Sequence, residues 1–328
     1  MAPIITVVVP FYKVPKLRFR KCIESLREQT FKDFELLLIC DGNAKEFEDF
    51  KKEFTSKDDR IRFIEKEHEG VSAARNLGMK EAKGQYLSFI DADDYVETNF
   101  LQKLYDAVQD ADVSICGVIE QTFFVVNGWF DSRVFWSQPT FFNGLQYINF
   151  SVNKLYKLDI IRENNISFST DVKLGEDALF LSQYFSHCKS IRCIPELLYH
   201  YIPNAKSAVH HFRKQYWDWE KQVIDAQWEM FHRYPLVERQ EHAMICWLYV
   251  KFKGACYYYM YNMEDKQELS KKIDEIASHP LFKTLVNGDF SKNNRHLGRN
   301  DRIILTLWKM FGVKGIYLTK FLKDIRNR

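Results

Sequence analysis

The chain has 328 residues, 46% of them hydrophobic, and 47 Lys or Arg against 44 Asp or Glu give a formal charge of +3. That length is enough for roughly two packed domains, and ample apolar content at near-neutral charge excludes an intrinsically disordered segment. With 13 Gly and 8 Pro the chain is neither collagen-like nor a linker, and no stretch reaches the ~18 uninterrupted apolar residues of a membrane-spanning helix.

In chain order, Ile4 to Val9 reads as a buried strand and Leu17 to Gln29 as a helix carrying Leu17, Cys22, Ile23 and Leu26 at helical spacing. Phe34 to Ile39 is a second buried strand, followed by a charged helical stretch from Ala44 to Phe54. Ile61 to Ile64 then predicts a strand, Val71 to Ala82 a helix, Tyr86 to Ile90 a strand and Thr98 to Val108 a helix. Continuous apolar strands alternating with helices predict an α/β fold, with a mostly parallel sheet covered by helices on both faces. Beyond Asp112 the pattern is less regular: strands are expected at Val113 to Val118 and Gln121 to Val126, helices at Leu155 to Glu163 and Glu176 to Ser186, and a strand at Ile191 to Tyr201. Past His211 the residues Trp, Tyr and Phe recur at helical spacing. Two domains follow: residues 1–211 as the α/β domain and 212–328 as a helical C-terminal region.

The seven cysteines are scattered without a C-x-x-C pair, which fits a reducing compartment better than a disulfide or zinc framework. Met1 to Pro10 has no basic leader or small-residue cleavage site, so a cytoplasmic protein is expected. Residues 290–328 hold ten Lys or Arg against Asp301 and Asp324, interleaved with Ile303, Ile304, Leu307, Trp308, Phe311 and Phe321. A basic amphipathic end of this kind suits an anionic membrane surface on the inner face, with a solvated helix as the plainer alternative. Concentration of basic residues in one tail, with no reading motif, argues against nucleic-acid binding.

In parallel α/β sheets, ligands sit outside the carboxyl ends of the strands, so the residues after each strand matter most. Those are Pro10-Phe11-Tyr12, Asp41-Gly42-Asn43 and Asp91-Ala92-Asp93-Asp94. Nothing among them resembles a dinucleotide fingerprint or a P-loop. Three carboxylates in four residues repel unless a cation such as Mg²⁺ or Mn²⁺ lies between them, typically shared with substrate phosphates; a solvated acidic turn is the alternative. Asp41 can accept the N3–H of a uracil and Tyr12 can offer a stacking face. Arg75, one turn into a helix opened by Gly70, is placed to meet a diphosphate. Glu176 and Asp177 open another helix, where one carboxylate in a partly dry cleft can act as a general base. Ser207 and His210 lie in a loop-like stretch.

The strings VVVPFYK, FELLLICDGN, GVSAARNLG, GQYLSFIDADD, NKLYK (Asn153 to Lys157) and GEDALF fall in order over residues 3 to 210 and resemble the family-2 inverting glycosyltransferases of the GT-A fold. That resemblance implies transfer of a sugar from a UDP-sugar to a hydroxyl of a glycan or lipid-linked acceptor in cell-surface polysaccharide synthesis, assisted by Mn²⁺ or Mg²⁺. It makes Pro10, Tyr12, Asp41, Arg75 and Asp91 the nucleotide-binding positions, Asp93 the metal ligand and Asp177 the catalytic base. Glu176, Ser207 and His210 fall at acceptor or mobile-loop positions. Two departures stand out: Cys40-Asp41-Gly42-Asn43 replaces the usual Asp-Asp-Gly-Ser, and Lys13 follows Tyr12 where the family often has Asn. Two other readings compete. One is a phosphatase of the haloacid dehalogenase type using Asp91 as nucleophile, although Asp94 stands where such enzymes carry Thr or Val; the other is a non-catalytic sugar-nucleotide-binding protein.

Overall fold

A computed structural model describes the chain except for residues 1, 43, 120–126, 133–134, 136–148, 204–210, 234–237, 288–298 and 327–328. It falls into two compact units, Met1–Phe135 with Gly144–Ser207, and Trp136–Asn143 with Ala208–Arg328.

The first unit opens with β1 (Ile5–Phe11), α1 (Lys16–Arg27), β2 (Phe34–Asp41), α2 (Glu48–Lys57), β3 (Ile61–Lys66), α3 (Val71–Glu81) and β4 (Tyr86–Phe89). Every residue of β1 and β2 is buried, as strands covered on both faces require. Pro10 faces Ile39 of β2 but lies past Val8, the last β1 residue paired with β4, so its missing N–H removes no bond to β4. There follow β5 (Tyr95–Val96), α4 (Phe100–Val108), β6 (Val113–Val118), β7 (Gly128–Asp131), β8 (Lys154–Lys157), α5 (Leu158–Glu163), α6 (Glu176–His187) and β9 (Ser190–His200).

The strand order is β3-β2-β1-β4-β8-β6-β9-β5, with β7 also on β9. Pairings among β3, β2, β1 and β4 are all parallel. Beyond β4 the sheet is mixed: β8 runs antiparallel to both β4 and β6, β6 is parallel to β9, and β5 and β7 run antiparallel to β9. The α/β class is as expected, but continuous parallel pairing runs only through the half whose strands are joined by crossover helices, β6 with β9 being, among the described residues, the one named parallel pair beyond it. The helix expected from Leu155 begins only at Leu158. Leu155 and Tyr156 instead pair with Ser114, Val113 and Leu87, because two apolar residues between lysines are too few for periodicity to distinguish strand from helix. The strand expected at Gln121 to Val126 lies outside the described residues.

The second unit is helical: α7 (Tyr216–His232), α8 (Glu238–Asn262), α9 (Lys266–Ser278), α10 (Pro280–Asn287), α11 (Arg299–Phe311) and α12 (Val313–Arg326). Trp217, Tyr249, Phe252, Tyr259 and Trp308 are buried in its core. The Tyr249 hydroxyl donates to Asp301 Oδ1 at 2.6 Å, so a large aromatic is buried without stranding its polar tip. No helix among the described residues is long and apolar enough to cross a membrane.

Candidate active site

Because β2, β1 and β4 are adjacent and parallel, their carboxyl ends bring Tyr12, Asp41 and the Asp91–Asp94 turn to one edge of the sheet. Pro10 is buried within β1, whereas Tyr12 is exposed just after it.

Asp41 is buried and receives two donors on each carboxylate oxygen. Oδ1 accepts from Lys66 Nζ (2.9 Å) and the Glu69 N–H (3.0 Å), and Oδ2 from the Gly70 N–H (2.8 Å) and the His68 ring, with Nδ1 at 2.7 Å. Burial works to raise its pKa, but the donated hydrogen bonds outweigh that cost and hold it below the ordinary aspartate value. Asp41 thereby fixes the loop that leads from β3 into α3. The His68 ring also lies flat on Tyr12, with centroids 3.9 Å apart and planes 15° from parallel.

The three acids after β4 part company. Asp94 points inward, accepting from the Tyr199 hydroxyl (2.7 Å) and the Ile202 N–H (2.8 Å). Burial first, and the charge of Asp91 second, push its carboxyl up to about 8. The same Tyr199 oxygen accepts the Asp91 N–H at 3.2 Å, so one phenol braces the turn from both sides. Asp93 is partly exposed, its Oδ2 lying 3.8 Å from Arg18 Nη1. Asp91 turns toward Arg75.

Arg75 is the junction of the site. Its buried guanidinium donates through Nη2 to Asp91 Oδ1 at 2.9 Å and through Nη1 to Asp177 Oδ1 at 2.8 Å, with Glu176 Oε1 at 3.6 Å. Burial opposes its charge, but the three acids hold it protonated. The remaining nitrogen, Nε, is buried without a hydrogen-bond partner, and the guanidinium carbon lies 5.2 Å from the centre of the Phe168 ring. Glu176 and Asp177 reach this point because Gly175, at φ +95°, turns the chain sharply into α6. Burial, together with the neighbouring Asp177 charge, pushes Glu176 up to about 7. Asp177 is also raised: burial is the largest cause, the Arg75 charge pulls it down, and the Asp91 charge pushes it up again.

The structure thus brings together Asp91, Arg75, Glu176 and Asp177, and sets Tyr12 and Asp41 along the same edge. Ser207 and His210 lie outside the described residues. Sequence reasoning passed over His68 and Lys66. It also quoted Lys154 within NKLYK without giving it a task. Lys154 is fully buried, donating to the Phe150 carbonyl (2.6 Å), Asn153 Oδ1 (2.9 Å) and the Val152 carbonyl (3.3 Å). Burial pushes its ammonium down to about 7, opposed by Cys116 and Asp177. Asn153, at φ +57°, exchanges hydrogen bonds with the Cys116 backbone, a conformation Asn tolerates better than most residues. An Asn-Lys pair directly before the apolar Leu155-Tyr156 is the sequence signal that could have found this pair.

Among the described residues no group of three or more His, Cys, Asp or Glu is arranged to hold an ion by protein ligands alone. A partly exposed Asp93 on a rigid turn still fits the mode in which Mg²⁺ or Mn²⁺ shares one or two carboxylates with a substrate's phosphates.

A parallel nucleotide-type half-sheet carries acids at its strand ends, and a buried arginine ties them to an acidic helix start. Residues 6–161 match the family model described as Glycosyl transferase family 2, which supports a glycosyltransferase. The chain is 27% identical to the uncharacterized glycosyltransferase EpsJ of Bacillus subtilis, over 94% of this chain and 93% of that one. With the minor teichoic acid biosynthesis protein GgaB of Bacillus subtilis it shares 28% identity over 67% of this chain and 26% of that one. The crystal structure of S. aureus TarS 1-349 in complex with UDP-GlcNAc has the same fold, with a TM-score of 0.74 and 15% identity over 99% of this chain and 92% of that one.

Proposed function

We propose that the chain transfers a sugar from a UDP-sugar to a hydroxyl of a cell-surface glycan or its lipid-linked precursor, with inversion at the anomeric carbon. The observation that carries this reading is the Arg75 bridge, which sets Asp91 and Asp177 on two neighbouring nitrogens of one guanidinium. A donor held by the first carboxylate is then within reach of a base at the second. Tyr12 and Asp41 take the uracil, beside Pro10, and Asp91 takes the ribose. Asp177, with proton affinity raised by burial, removes the acceptor hydroxyl proton as that oxygen attacks. Attack comes from the face opposite the leaving UDP, so configuration inverts in one displacement. Arg75 steadies both carboxylates, and Glu176 orients the acceptor. Asp93 would hold a divalent ion, which when bound supplies charge neutralisation at the diphosphate. A TarS complex with UDP-GlcNAc and a relative named for teichoic acid biosynthesis support the choice of donor and of product class.

Thermal melting with UDP, ADP or GDP, each with Mn²⁺ or EDTA, tests the donor assignment. A ligand at a hundredfold excess over its Kd adds about 2.7 kcal/mol of stability. We expect the largest rise with UDP and Mn²⁺ together. No rise with UDP would overturn the assignment, and release of phosphate from simple esters without an acceptor would favour the phosphatase alternative.

The same proposal extends to a membrane-proximal acceptor. On α11, Ile303 (48% exposed), Met310 (66%) and Phe311 (50%) face solvent beside exposed Arg302 and Lys309, an apolar strip flanked by cations suited to anionic lipid. Sedimentation with vesicles should show preference for anionic over neutral lipid, lost in Met310→Ser/Phe311→Ser. Equal partition onto both lipids would overturn it.

A further inference from the structure

We infer that His68 is a built-in occupant of the nucleobase site, which the base of the donor must displace; this rests on the proposed roles of Tyr12 and Asp41. A carboxylate can only accept, so the ring nitrogen 2.7 Å from Asp41 Oδ2 carries its proton. The imidazole therefore offers a flat face to Tyr12 and one N–H to Asp41. Those are the two contacts assigned to uracil, which would present a π-face and its N3–H. One planar ring occupies the position that the other requires.

The surroundings fit exchange rather than permanent packing. Of the four donors to Asp41, two are backbone N–H groups and the third is Lys66, whose side chain is 11% exposed. The His68 side chain is 51% exposed. If His68 swings away, Asp41 keeps Lys66, Glu69 and Gly70, and a single acceptor position on Oδ2 is released toward the vacated Tyr12 face. Gly42 makes the close seating possible: it sits at φ +88°, and a Cβ added there would lie 3.0 Å from the His68 Cβ. An occupied site binds its ligand more weakly by the fraction of molecules in which it is open. Removing the occupant should therefore strengthen binding of any ligand that carries the base, and of no ligand that lacks it.

The experiment is calorimetric titration of the full chain and of His68→Ala with UDP, uridine and pyrophosphate, each in Mn²⁺. We expect UDP and uridine to bind His68→Ala about 3- to 10-fold more tightly, in line with relief from a mostly closed site, and pyrophosphate to bind both proteins equally. Weaker or unchanged UDP binding by His68→Ala would overturn the inference, making the ring a wall of the site or a bystander. Failure of both proteins to bind UDP would instead remove the nucleotide reading, and this inference with it. A second measurement is independent of the variant's folding: the His68 ring proton resonance of the wild type should lose the upfield displacement due to Tyr12 when UDP is added. Retention of that displacement at saturating UDP would overturn the inference.

Discussion

At the end of β2 the buried Asp41 carboxylate receives four donors, and its proton affinity stays below the ordinary aspartate value. At the start of α6, Glu176 and Asp177 meet the single guanidinium of Arg75, which Asp91 also shares, and both are raised. Burial is the largest influence on all three acids, but it is deeper around Glu176 and Asp177, where neighbouring negative charges add to it, whereas at Asp41 the four donors outweigh it. Under the proposed roles, the acid that recognises the base is the one whose proton affinity is lowered, and the acid that takes the proton is one whose proton affinity is raised.

The largest test of that contrast is Asp177→Asn. Loss of a general base should lower kcat by about 10²- to 10⁴-fold while UDP affinity, read by calorimetry, is kept. Near-normal turnover would remove Asp177 from the chemistry. Next comes Arg75→Met, which leaves buried carboxylates without their counter-ion. Breaking one side of a buried ion pair costs about 3–5 kcal/mol, so the urea midpoint should fall markedly. It should also recover as the pH is lowered, because the orphaned acids can then take protons; a pH-independent loss would place the effect in packing.

The smallest effect is a shift in pH profile. The Asp177 charge raises the proton affinity of Glu176, and like charges this close act on one another in the same sense. A base must be deprotonated to act, so the wild-type acid limb of kcat should lie above the ordinary carboxylate range. In Glu176→Gln the neighbouring charge is gone, Asp177 releases its proton more easily, and the limb should move to lower pH. A limb that stays put would show the two acids to be uncoupled in the working enzyme.

The half of the sheet built from β1 to β4 was legible because its strands are continuous apolar runs joined by crossover helices, and parallel topology then brings their loop acids together without further information. The other half was less so. Antiparallel pairing needs no crossover, so the four residues of β8 carried no period to tell them from a helix, and β5 is too short to register. At the site, residue types were readable but their partners were not. Three acids at Asp91, Asp93 and Asp94 looked like one cluster, yet Tyr199, more than a hundred residues later, draws Asp94 into the core. Arg75 was expected at a diphosphate, and its engagement with Asp177 depends on a contact spanning 102 residues. His68 was one of nine histidines with nothing local to single it out.

The join between the two halves of the sheet has a consequence for recombination. β4 meets β8 through Tyr86 opposite Lys157 and Leu87 opposite Tyr156, a short seam. The proposed donor-binding and proton-accepting stretches adjoin along this seam, through the Asn76–Phe168 and Arg162–Ala82 hydrogen bonds and through the Arg75 bridge. A hybrid joining residues 1–90 of this chain to the remainder of a relative would need to match that seam and supply carboxylates at the positions of Asp91 and Asp177 for Arg75. Met on those terms, such exchange would let new pairings of donor and acceptor arise without rebuilding either half.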